Sequence, residues 1–261
     1  MGSSAEMPFL DHLEELRWRI IWSLAALVVG VGIAFFVVWN FRLLDWLQGP
    51  ILPYLHGRRL MVTHPADSLS ILIQTSIIVG AVIALPVIIY QVWAFLSPAL
   101  YQKEKKLAVP VILGAVLLFI AGAALAWYFV LPMTLKFLTS LGSETFDQMI
   151  TVTDYFSFVT SLVLAMGAVF ELPIAILILS AIGLVTPRFL AKYRKHALVA
   201  SYVGAAIITP GDVFITSVAL MVPLYLLYEL SIGLSFLVYR KRQRAEAANA
   251  DAEHAASGAS A

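Results

Sequence analysis

Six apolar stretches divide this 261-residue chain, near residues 19–39, 70–95, 108–131, 155–183, 197–209 and 213–238, and the positive charge falls on one side of them. A hydrocarbon layer about 30 Å thick is crossed by roughly 20 helical residues, so the pattern predicts a polytopic α-helical membrane protein. Of the 17 Lys and Arg residues, 13 lie in four segments that an even span count places together. These are Arg17 and Arg19; Lys103, Lys105 and Lys106; Arg188, Lys192, Arg194 and Lys195; and Arg240, Lys241, Arg242 and Arg244. The opposite segments hold Arg42, Arg58, Arg59 and Lys136. Short loops rich in Lys and Arg stay on the cytoplasmic side, which predicts a cytoplasmic-membrane protein with both termini inside.

Composition supports this class. The chain is 61% hydrophobic and 13% charged, where a soluble domain would be about half apolar and a quarter charged. It has no cysteine, which excludes disulfides, thiolate catalysis and cysteine metal sites. The histidines show no metal-ligand spacing, and no phosphate loop, nucleophile elbow or carboxylate dyad is visible. A non-enzymatic protein without cofactor or metal, and without a nucleic-acid surface, is expected. The acidic segment from Glu6 to Glu15 stands where a cleavable signal would be basic, so the first stretch is expected to remain as an anchor. One membrane domain over 1–240 is expected, followed by a disordered cytoplasmic tail over 241–261.

Two loops on the sparsely charged side, 40–69 and 132–154, keep apolar and aromatic residues and should be ordered. The first predicts a short interfacial helix around Leu43–Leu47 and turns at Gly49-Pro50 and Pro53; the second, a short helix around Thr134–Leu141. Pro86, Pro110, Pro173 and Pro223 fall inside spans and should bend them into a concave bundle of tilted, kinked helices. The fifth stretch is anomalous: Ala197–Ile208 covers about 18 Å, unless the helix begins earlier and Arg194 and Lys195 reach out to the headgroups. No internal repeat is visible, which disfavours inverted-repeat transporters.

Four segments hold the residues with chemical potential. In FLDHLEELRWRI, Phe9, Leu13, Leu16 and Ile20 recur at helical spacing and Asp11, Glu14 and Glu15 lie on or beside the other face. Glu15 and Arg19 form an i,i+4 pair, and acids near a helix N-terminus also favour its dipole. In YQVWAFLSPALYQKEKK, Glu104 is the acid set among three lysines and could be a solvated helix-start residue. Glu171 stands inside the fourth stretch before Pro173, where an ionisable group costs at least about 2.5 kcal/mol and needs a polar partner, a cavity, or backbone freed by the proline. In TPGDVF, Asp212 could cap the sixth helix.

These segments resemble the signatures of the TatC family, the large membrane subunit of the twin-arginine protein translocase. The resemblance runs in order through HLEELRWRI, PVIIYQVWAFLSPALYQKEKK, VFELP and TPGDVF, over roughly residues 8–240. Lys105 and Lys106 stand where the family often has Arg, and Gly211 where it commonly has a second Pro. The resemblance implies a receptor for signal peptides with consecutive arginines on folded cargo, driven by the proton-motive force. It implies that Glu15 and Glu104, with Arg17 and Phe95, form the signal-peptide site, with Arg17 and Arg19 orienting the acids or touching lipid phosphate. It further implies that Glu171 meets the signal peptide or a partner, and that Pro210 and Asp212 act at the outer face. The implied partners are the single-span subunits TatA and TatB, membrane lipid, and further copies within a larger complex. Arginine grips carboxylates with a planar fork that lysine lacks, which fits paired arginines on the ligand. A proton-coupled secondary transporter with Glu171 as its coupling group, and a purely structural scaffold, are the alternatives.

Overall fold

The computed structural model describes residues 9–55, 57–96, 108–141, 149–209 and 215–258. Its helices are α1 (Phe9–Asn40), α2 (Leu43–Leu47), α3 (Asp67–Leu96), α4 (Ala108–Leu125), α5 (Leu131–Ser140), α6 (Val152–Phe170), α7 (Leu172–Ala181), α8 (Pro187–Lys192), α9 (Arg194–Ile208) and α10 (Ile215–Gly258). Among the described residues, five stretches are long and apolar enough to cross a membrane: Leu13–Asn40, Asp67–Phe95, Val109–Ser140, Val152–Ala181 and Thr216–Arg240. The remaining predicted span, the fifth in chain order, is α9. It begins at Arg194, earlier than Ala197, yet its 15 residues still cover only about 22 Å. The result is the all-α, six-helix architecture that the apolar pattern predicts.

Helices approach closely where glycine removes a side chain. On α1, a Cβ added at Gly30 would lie 2.5 Å from the Gly80 carbonyl oxygen of α3, and one at Gly80 would lie 2.6 Å from the Val31 Cα. The α1–α3 crossing is therefore backbone against backbone, the small-residue packing that helices in lipid favour. Between α4 and α6 the fit is reciprocal: the Phe119 ring covers Gly167, and Phe170 lies over Gly122. Several hydroxyls within the spans bond to their own helices, as Ser76 donates to the Leu72 carbonyl, Thr160 to Phe156 and Ser231 to Leu227. Lipid offers them no other acceptor. Between α7 and α10, buried Ser180 donates to Ser235 at 2.7 Å.

Two predicted breaks take different forms. The third span does not stop near residue 131: a π-helical turn, Ala126–Val130, joins α4 to α5 without interruption. Pro132 has no N–H to give the preceding turn, and a widened turn accommodates that loss. In the fourth span, Glu171 separates α6 from α7, and Pro173 sits in the first turn of α7. Pro86 and Pro223 lie inside the unbroken α3 and α10. Helix α10 continues to Gly258, through the segment expected as a disordered tail. The alanines and glutamates there are strong helix formers that can extend a helix already nucleated in the membrane.

At the end of the bundle away from the basic segments, the two long loops form one cap. Met61 donates to the Ile150 carbonyl at 3.1 Å and accepts from the Val152 amide at 2.8 Å. Trp46 of α2 stacks on Trp127, with ring centroids 4.3 Å apart, and the Tyr155 hydroxyl donates to the Leu47 carbonyl at 2.7 Å. A 3-10 helix, Gly49–Tyr54, buries Ile51 against the same core.

Candidate functional site

The N-terminal turns of α1 lie beside the last turns of α3, where the charged sequence meets the YQVWAF segment. The Arg19 guanidinium donates to Glu15 Oε1 through Nη2 at 2.6 Å and Nε at 3.2 Å. Its remaining nitrogen, Nη1, donates to Gln91 Oε1 of α3 at 3.2 Å. Both members of the ion pair are about three-quarters buried, with 26% of Arg19 and 22% of Glu15 exposed. Glu15 is thus the acid of an i,i+4 pair, but the pair is also tied to the neighbouring helix. Arg17 points outward and is exposed, while Phe95, one turn beyond Gln91 on α3, is half-buried. Nearby Trp93 is 3% exposed and packs into the core with Val111, Ile174 and Val238.

The fork's second function went unread in the sequence. Gln91 is visible there as part of the YQVWAF segment, one turn before Phe95, but its partner depends on how α1 crosses α3. Glu104 lies outside the described residues, as do Pro210 and Asp212. Beside that turn, the Thr209 and Ser217 hydroxyls lie 3.0 Å apart and join the end of α9 to the start of α10.

Glu171 occupies the break between α6 and α7, well inside its span. Both its carboxylate oxygens are buried without a hydrogen-bond partner among the described residues, so it does not use the backbone around Pro173. Glu229, on α10, has a structural role: it accepts from Arg194 at 2.9 Å and from the Tyr225 hydroxyl at 2.8 Å, tying the start of α9 to α10. An apolar cavity of about 280 Å³ lies between the π turn and α10, lined by Phe129, Met133, Leu220 and Pro223 with Thr216 at its polar edge.

A six-helix bundle with one short span, a charged entrance between α1 and α3, and a carboxylate at membrane depth defines a multi-pass membrane protein built around polar contacts at one end. Residues 11–223 match the family described as Sec-independent protein translocase protein (TatC). The chain is 44% identical to the TatC of Aquifex aeolicus over 248 residues, covering 93% of this chain and all of that protein. It is 34% identical to the TatC of Escherichia coli, covering 94% of this chain and 95% of that protein. The fold superposes on the crystal structure of a twin arginine translocase receptor, TatC, with a TM-score of 0.72 and 42% identity, covering 87% of this chain and 99% of that chain. A second crystal structure of that receptor, in the detergent DDM, gives a TM-score of 0.74 and 43% identity, covering 86% and 99%. The chain belongs to the TatC family. It is a multi-pass component of a protein translocase.

Proposed function

We propose that this chain is the signal-peptide receptor and core subunit of a twin-arginine translocase in the cytoplasmic membrane, with both termini inside. It binds consecutive arginines of a signal peptide through Glu15 and Glu104, with Phe95 beside them and Arg17 at the rim. It then recruits the single-span subunits TatA and TatB, within an assembly holding further copies of the chain, and exports folded cargo using the proton-motive force. Glu171 contacts the signal peptide or a partner at membrane depth, and the turn at Pro210 and Asp212 acts at the outer face.

The observation that carries this reading is the anchored Glu15 carboxylate. Arg19 holds it from one side and is itself held by Gln91, so the acid is positioned at the α1–α3 entrance before a ligand arrives. Pre-positioning spares the ligand the cost of ordering that side chain. A charge-assisted bond contributes about 1.5–3 kcal/mol, less where water reaches it. Glu15→Gln and Glu104→Gln are each expected to reduce photocrosslinking of a twin-arginine peptide by roughly fivefold or more at unchanged protein level. Unchanged crosslinking in both variants removes the site assignment. Glu171→Ala is expected to impair transport while peptide crosslinking persists, and a fully active variant would reduce Glu171 to packing.

A further inference from the structure

The loop cap contains a second site that the receptor reading does not use. A cavity of about 530 Å³ opens there between the first long loop and the first turns of α3 and α6. Its floor is apolar, made by Leu55, Leu60, Ile71 and Phe156, and its polar wall carries Arg58, Arg59 and Asp45. We propose that this cavity binds an anionic phospholipid from the leaflet on that side, with its phosphate on Arg58 and Arg59 and an acyl chain along the apolar floor and rim.

Three observations support that occupant. First, the segments at this end hold only four Lys or Arg residues, and two of these are consecutive and line the one cavity. Arginine on the translocated side works against the charge bias that orients the spans, so a consecutive pair there calls for a local use. Arg42 faces Asp45 at 3.3 Å and Arg58 has an interaction of its own, while Arg59 has no side-chain partner among the described residues and is the guanidinium open to a phosphate. Guanidinium forks match a phosphate geometrically.

Second, the depth is right. Ser68, Ile71, Val152 and Phe156 belong to the first turns of two membrane-spanning stretches, so the cavity sits where hydrocarbon gives way to headgroups. Trp46, on the neighbouring α2, is 55% exposed, as aromatic side chains at that boundary commonly are. Third, the rim is greasy: Leu52 is 57% exposed and Val62 53%. A soluble phosphate would leave these side chains in water, whereas an acyl chain covers them. Basic pockets against span ends suit anionic headgroups for the same combination of charge and depth.

The test is titration of phosphatidylglycerol into the delipidated full chain, read by native mass spectrometry. Arg58→Gln/Arg59→Gln is expected to weaken binding about tenfold or more. Arg42→Gln, which removes a charge nearby but outside the cavity, should stay within about twofold of the parent chain, and Arg58→Lys/Arg59→Lys should retain part of the affinity. Phosphatidylcholine should bind weakly, and inorganic phosphate at matched concentration should not displace the lipid. Equal binding by the double glutamine variant, an equal loss in Arg42→Gln, or displacement by inorganic phosphate would each overturn the proposal. The last would assign the arginines to a free anion. Should the double variant not purify as a single species, Arg59→Gln with a photoactivatable phosphatidylglycerol replaces it. Crosslinks at Leu52 or Val62 that disappear in this variant support the site, and crosslinks that persist refute it.

Discussion

Gly80→Ala tests the crossing on which the proposed signal-peptide site depends. An alanine Cβ at this position would lie 2.6 Å from both the backbone nitrogen and the Cα of Val31, and 2.8 Å from its Cγ2. Carbon atoms pack at about 3.5–4.0 Å, so α1 must move away by roughly 1 Å. The obstacle is backbone, and no rotamer change can relieve it. Overpacking of this kind costs about 1–3 kcal/mol, against which the better helix propensity of alanine returns up to about 1 kcal/mol. A net loss of about 1–2 kcal/mol follows, or roughly 3–6 °C in melting temperature for a chain this size.

The control is two residues from the other half of the contact. Gly32 has open space around its missing Cβ, so Gly32→Ala should melt at or above the parent temperature. A second readout is local. Arg19 reaches Gln91 at 3.2 Å, and a shift near 1 Å would take that hydrogen bond beyond its working range. Gly80→Ala should therefore also lower peptide crosslinking at Glu15, in part. Identical melting of Gly80→Ala and Gly32→Ala would refute the backbone contact between α1 and α3, and with it the account of how Glu15 is positioned.

Two further outcomes concern interior contacts. Ser180→Val should destabilise the protein by about 1 kcal/mol, because it leaves the buried Ser235 hydroxyl without the 2.7 Å contact, while Ser180→Val/Ser235→Val should recover much of the loss in a double-mutant melting cycle. Trp127→Leu removes the stack on Trp46, worth about 1 kcal/mol beyond buried area, and should speed tryptic cleavage after Arg58 and Arg59 as the loop cap loosens.

The spans were legible in the sequence because apolarity is local and additive: any window of about 20 residues carries its own transfer energy. Charge sidedness is read as simply, by counting. What stayed hidden depends on two distant segments meeting. Gly30 and Gly80 are ordinary glycines in separate helices until they touch, and only then does Gln91 come within reach of Arg19. The bridge between Met61 and the residues around Thr151 joins two loops across 90 positions that no local spacing connects. The α4–α5 continuity was obscured for another reason: Pro132 is a stop signal in most contexts, and the π turn that absorbs it has no composition of its own. Helix α9 was legible as short, and its earlier start was one of two open readings; the contact of Arg194 with Glu229 of α10 joins that first turn to the bundle.

The contrast between hydroxyls and Glu171 shows why one polar group in the membrane calls for something outside the chain. Most serines and threonines in the spans satisfy themselves, because the hydroxyl proton reaches the carbonyl one turn back, as Thr134 does to Val130 and Thr209 to Ala205; Thr75 of α3 is an exception, its buried hydroxyl unpartnered among the described residues. A carboxyl group needs a donor when ionised and an acceptor for its proton when protonated. Glu171 has neither among the described residues, since both its oxygens are buried without a hydrogen-bond partner. The cost of holding it there is offset only if a partner group arrives from a neighbour, from water in a cavity, or from a ligand. A chain that needed only packing at the α6–α7 break could use an apolar residue there and avoid that cost. That mismatch is the physical ground for the proposal that Glu171 meets the signal peptide or a partner.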